Sequence, residues 1–253
     1  MLAAHERRLP AAVATNLTTG AQSIFVSDDA VGAGEGDLAL GAEELAVVRR
    51  AMRSHRSASI ETGMGTVFVD VWSPAPRLYV VGAVHIAQLL VPIARIAGYD
   101  VTVIDPRTAF ATPERFPDTT LRHDWPDEAL AALGLDERTA VVTLTHDTKI
   151  DDPALHAALR SNAFYVGSLG SRRTQAKRLE RLAQMGFDAS TIARIHGPVG
   201  LAIGALTPGE IAIAIVAQLT AVLRRVVAPL EAGTVTPSLV TVDARPRHGA
   251  VHP

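Results

Sequence analysis

The chain reads as an α/β protein, a Rossmann-like parallel sheet with helices on both faces, preceded by a small α+β segment. Three observations predict this. A glycine turn at residues 82–87 separates an apolar strand from an apolar helical run. A second strand follows and ends on Asp105, roughly 20 residues past the turn, the order of a dinucleotide-binding βαβ unit. Beyond it, near-continuous apolar strands alternate with helices, as in a parallel sheet covered on both faces.

The proline-rich stretch at 73–76 divides the chain into an N-terminal segment, 1–75, and a Rossmann-like domain, 76–253. In the first part, residues 22–26 read as a strand, the Gly-rich 31–36 as a turn, 43–53 as a helix and 66–71 as a strand by alternation. So few elements are marginal if they stand alone. In the second part, strands are expected at 78–81, 101–104, 140–144 and 164–166, and helices at 86–97, 153–159, 171–185 and 211–225. Pro92 should kink the first of these helices or mark a bulge. Asp151 or Asp152 before Pro153 has the look of an N-cap. Thr207, Pro208 and Glu210 have the spacing of a capping box. The glycines at 197–204 before it form a loop placed to close over a site.

Bulk properties exclude several functions. A net charge of −2 with 4% aromatics gives no surface for nucleic acid, and no membrane is expected, since the longest apolar run, 211–223, is interrupted by Gln218 and Thr220 and is too short to span a bilayer. The absence of cysteine removes disulfides, iron–sulfur ligation and thiolate zinc sites together. His5, Glu6, Arg7 and Arg8 with no apolar stretch after them do not make a secretory signal, so a cytoplasmic protein is expected.

Ligands of open α/β sheets bind at the carboxyl ends of the strands, and four loops qualify. In the first, Gly82 and Ala87 satisfy the ends of a G-x-G-x-x-G/A pattern, but Val84 takes the middle glycine's place and removes the close approach of a pyrophosphate. His85, in the first helical turn, is a candidate ligand contact. In the second, Asp105 stands where a ribose hydroxyl is met, and Arg107 pairs either with a phosphate or with Asp105 itself. In the third, His146 and Asp147 follow a strand, with Asp151 and Asp152 nearby, a group able to bind a metal or move protons. The fourth, Gly167, Ser168, Leu169, Gly170, Ser171, Arg172 and Arg173, joins flexible backbone, hydroxyls, a helix N-terminus and guanidinium groups in an anion nest. Cations oppose the dipole at a helix N-terminus, so an anionic partner accounts for the two arginines.

Five motifs in order, VGAVHIA at 81–87, DPR at 105–107 with Phe110 and Arg115, THD at 145–147, YVGSLGSRR at 165–173 and GPVGL at 197–201 with TPGEIA at 207–212, resemble the XdhC/CoxI family over residues 65–225. Its members are accessory proteins of molybdenum hydroxylases such as xanthine dehydrogenase and carbon monoxide dehydrogenase. The resemblance implies a protein that binds molybdenum cofactor (molybdopterin or its dinucleotide), protects it and delivers it to a client enzyme, a chaperone more than a catalyst. It also implies self-association as a homodimer. The sequence departs from the family at Val84, at Ala202 (an acidic residue expected), at Ala214 (serine) and at Gln218 (glutamate). The usual N-terminal family domain is missing, with only something like its tail at 21–53. A divergent paralogue and a separately encoded partner that supplies the domain are both open.

The expected cofactor site is Gly82, His85, Asp105, Arg107, His146, Asp147, Gly167, Ser168, Gly170, Ser171, Arg172 and Arg173, with no catalytic or metal-ligating residue assigned. Two alternatives stand beside it: an NAD(P)-binding oxidoreductase, and a ligand-free scaffold that docks a client.

Overall fold

A computed structural model describes residues 9–26 and 34–224. The charged start at 1–8, part of the expected turn at 31–33, Arg225 and the remainder of the 76–253 domain lie outside the described residues.

The N-terminal segment is an antiparallel sheet with one helix. Its elements are β1 (Ala11–Asn16), β2 (Gln22–Val26), β3 (Glu35–Gly36), α1 (Ala42–Ser54), β4 (Ala58–Thr62) and β5 (Gly65–Trp72), in the sheet order β3-β2-β1-β5-β4. Alternation in β5 buries Val67 and Val69 and leaves Phe68 and Asp70 outside, and α1 lays Val48, Ala51 and Met52 on the buried face. The sequence pattern does not predict β1, β3 or β4. Alanine-rich β1 has little intrinsic strand preference and forms because β2 and β5 pair with both of its edges.

The second sheet is parallel throughout. It comprises β6 (Arg77–Val81), β7 (Asp100–Ile104), β8 (Thr120–Arg122), β9 (Thr139–Thr143), β10 (Tyr165–Ser168) and β11 (Ile195–His196), in the order β11-β10-β9-β6-β7-β8. This is the doubly wound Rossmann order, and its switch point lies between β6 and β9. The helices are α2 (His85–Ile96), α3 (Pro126–Leu133), α4 (Thr148–Leu159), α5 (Arg172–Gln184), α6 (Ala189–Ile192) and α7 (Pro208–Leu223).

Side-chain parity in the strands builds two cores. Leu78 and Val80 of β6 face Leu90 and Ala94 of α2 and Ile215 and Leu219 of α7. Their neighbours Tyr79 and Val81 face Leu130 of α3 and Ile150, Ala154 and Leu155 of α4. Each fully buried aliphatic side chain stabilises the fold by about 1.5–3 kcal/mol, so these layers hold the strand ends in place. α2 runs unbroken through Pro92. Thr207 and Glu210 close the expected capping box at the start of α7. One expectation is corrected. α4 begins at Thr148, so Asp151, Asp152 and Pro153 are helix interior, and Asp147 is the N-cap, accepting the Lys149 N–H at 2.9 Å.

Candidate functional site at the switch point

The carboxyl ends of β6 and β9 meet closely. Gly82 has φ 109°, and a Cβ there would collide with the Thr145 side chain, so only glycine serves. Its N–H donates to the Ile104 carbonyl at 2.8 Å, and the Leu144 N–H donates to the Val81 carbonyl at 2.9 Å. Val84 is the N-cap of α2 and offers no side-chain cap. The Ala87 N–H donates to the Val84 carbonyl at 3.0 Å, and the start of α2 still presents the positive end of its dipole at the switch point, a setting that favours an anion. Val84 also packs on the core, while His85 is exposed.

Asp105 is buried, and both of its oxygens are engaged. Oδ2 accepts the Ala83 N–H and an Arg107 Nη2–H, both at 2.8 Å, and Oδ1 accepts the Arg107 N–H and Nε–H at 3.0 and 2.9 Å. Burial pushes its pKa up, but these hydrogen bonds outweigh it and hold the carboxyl below its ordinary value. Of the two partners left open for Arg107, the structure selects Asp105. A ribose hydroxyl would have to displace a bidentate guanidinium, which takes from the nicotinamide alternative its usual acceptor. Arg107 also lies over the Phe110 ring, 4.4 Å from its centroid, and its pKa is raised, first by the bond to Asp105 and also by the charges of Asp147 and Asp151 across the crevice.

The third loop is drawn tight by Asp151. Its Oδ1 accepts the Thr145 hydroxyl at 2.7 Å and the Thr145 N–H at 3.3 Å, and its Oδ2 accepts the His146 N–H at 3.0 Å. His146 stands at φ 62°, a left-handed conformation that few non-glycine residues adopt, though histidine is among the more tolerant. Burial raises the Asp151 pKa against these hydrogen bonds. Asp152 instead pairs with Arg181 at 2.7 and 2.9 Å. Among the described residues no three His, Cys, Asp or Glu side chains converge as a metal ion requires.

The fourth loop divides into buried and open parts. Gly167 is packed against Tyr165 and Val199. Ser168 is fully buried and shares a 2.6 Å hydrogen bond with Thr143, tying β10 to β9. Ser171 is the N-cap of α5, accepting the Thr174 N–H at 3.1 Å. Arg172 and Arg173 are exposed in the first turn. The hydroxyls of Ser168 and Ser171 are thus committed to the fold, while both arginines remain solvent-exposed.

His146 and Arg173, distant in sequence, line one cavity of about 170 Å³ together with Thr148, Asp151, Thr174, Lys177, Arg178 and Arg181. The last three are not singled out by the sequence. Arg173, Lys177 and Arg181 recur every four residues, a basic stripe on one helix face. Sequence alone makes such a stripe look like a solvated surface.

The loop at 197–204 is tethered rather than loose. The Val199 N–H donates to the Ser168 carbonyl at 3.1 Å, the Leu201 N–H to the Ala214 carbonyl at 3.1 Å, and the Gly200 N–H to Gln218 Oε1 at 2.8 Å. Gln218 Oε1 also accepts the Tyr165 hydroxyl at 2.5 Å. Buried Ala214 lies against Gly200.

The XdhC Rossmann domain model matches residues 78–219. Among curated proteins, the chain is 34% identical over 157 residues to the uncharacterized protein YqeB of Escherichia coli, covering 62% of this chain and 29% of that protein. It is 31% identical over 149 residues to the molybdenum cofactor insertion chaperone PaoD of Escherichia coli, covering 59% and 41%. It is 32% identical over 161 residues to a probable xanthine dehydrogenase subunit of Bacillus subtilis, covering 63% and 47%. The matched segments thus span less than half the length of each of these relatives. A solved structure described as a xanthine dehydrogenase from Bacillus halodurans superposes with a TM-score of 0.66 at 25% identity, covering 87% of this chain and 64% of that one.

Proposed function

The chain belongs to the family of the XdhC Rossmann domain, and on that premise we propose that it is an accessory protein that binds molybdenum cofactor for the maturation of a molybdenum hydroxylase. The observations that carry the reading are that the Gly82 turn lies beside Thr145 at the switch point and that His146 and Arg173 line one cavity, with Arg173 and Lys177 free of ion pairs among the described residues. The likeness to PaoD, named as a molybdenum cofactor insertion chaperone, supports the same role.

The residues present suit a phosphorylated pterin. The helix dipole at the start of α2 and the cations of α5 favour an anionic group. In this reading Gly82, His85 and His146 meet the cofactor, while Asp105 with Arg107, Asp147, Gly167, Ser168, Gly170 and Ser171 hold the loops in shape. The cofactor brings the molybdenum redox chemistry that a client enzyme uses; this chain orients the cofactor and shields it from water. A soluble homodimer acting in the cytoplasm on a client of the xanthine dehydrogenase or carbon monoxide dehydrogenase type completes the proposal.

The test is to denature purified protein from a molybdenum-replete host, identify the small molecules released, and add the native protein to an apo-hydroxylase. Release of a pterin and activation of the apo-enzyme are expected. Release of a nicotinamide dinucleotide, with no activation, would replace this reading with the oxidoreductase one.

A further inference from the structure

The cavity between α4 and α5 contains more positive charge than its own acidic groups offset. Arg178 is 2% exposed. Its Nη1–H donates to Gln175 Oε1 at 2.7 Å and its Nη2–H to the Leu169 carbonyl at 3.0 Å, both neutral acceptors. The nearest carboxylate oxygen, of Asp151, is 3.9 Å away, beyond hydrogen-bond distance, and that carboxylate already serves Thr145 and His146. Arg178 Nε is buried with no hydrogen-bond partner among the described residues. Arg178 and Asp151 thus form a loose buried ion pair without a hydrogen bond, which leaves guanidinium donor capacity for a further anion.

The surroundings point the same way. Arg181 is satisfied by Asp152, but Arg173 and Lys177 make no ion pair among the described residues and line the same space. Thr148 and Thr174 complete the wall. Asp151 is the only carboxylate in the lining, against four basic side chains and His146. At about 170 Å³ the space is large enough for a tetrahedral oxyanion.

We infer that this cavity is an oxyanion subsite of the phosphate class, with Arg173 and Lys177 as its mobile charges and Arg178 as its fixed, buried one. That the phosphate is the one carried by the cofactor rests on the proposed function above. Arg173, Lys177 and Arg178 would then hold the phosphate of a bound molybdopterin. The phosphate anchor thus spans the first two turns of α5, and the loop at 167–171 supplies its support.

Calorimetric titration of the full chain with inorganic phosphate, and in parallel with molybdopterin, tests the assignment. Saturable phosphate binding is expected, weakened roughly tenfold in Arg173→Ala and in Lys177→Ala, the scale of one charge-assisted hydrogen bond. Arg95→Ala, which removes a cation from the last turn of α2, should leave it unchanged. No saturable phosphate binding, or equal weakening in all three variants, overturns the subsite. Lys177→Ala weakening phosphate but not molybdopterin would mean a free anion and overturn the cofactor assignment of the cavity. Phosphate binding as expected, with no molybdopterin binding in any form, would sink the proposed function and leave the subsite standing.

Discussion

The carboxylate of Asp151, buried in the first turn of α4, accepts the backbone N–H of His146 at 3.0 Å while His146 sits at φ 62°. The same carboxylate holds Thr145, whose side chain presses on Gly82. One buried acid therefore fixes both walls of the crevice, the β9–α4 loop directly and the glycine turn through contact.

Replacing Asp151 by Asn should release that loop. The amide can accept only through its single oxygen, so one N–H or hydroxyl loses its partner, at a cost of about 1–3 kcal/mol. Urea unfolding should show the loss, and hydrogen exchange should show reduced protection at the amides of Thr145 and His146 while the β6 and β9 interiors stay protected.

Gly82→Ala should destabilise the fold by about 1–3 kcal/mol, because it combines a strained positive φ with a collision against Thr145. Adding Thr145→Ser, which removes the colliding methyl group, should restore part of the loss. Thermal unfolding of the two variants separates the steric part from the backbone part.

The Asp105 carboxyl is held below its ordinary value of 3.8 in the folded state. Its hydrogen bonds therefore contribute stability that is fully present above about pH 4 and is lost as the pH falls through the lowered value. Asp105→Asn should be less stable than the parent at neutral pH, and the gap should narrow in acid. Urea midpoints collected from pH 7 down to pH 3 check the sign.

Much of this architecture is legible in the residues. The glycine turn, the apolar β6, β7 and β9 strands and the acidic end of β7 follow from period and position, and those features place the switch point. Alanine-rich β1 and the two-residue β3 and β11 are not legible, since partner strands impose them and local preference does not. Asp151 and Asp152 before a proline imitate a cap; packing of Ile150 and Leu155 lets the helix start earlier and run through Pro153. Arg178 is hidden for a different reason. An arginine between Lys177 and Arg181 suggests a solvated helix face, and only the tertiary packing of α5 against α4 buries it.

Whether the switch-point loops and the start of α5 bind molybdenum cofactor is decided by side-by-side titration of the full chain with molybdopterin and with NAD. Saturable molybdopterin binding, weakened roughly tenfold by Arg173→Ala, with no saturable NAD binding, is the expected outcome. Tight NAD binding with no affinity for molybdopterin would refute cofactor binding at this site.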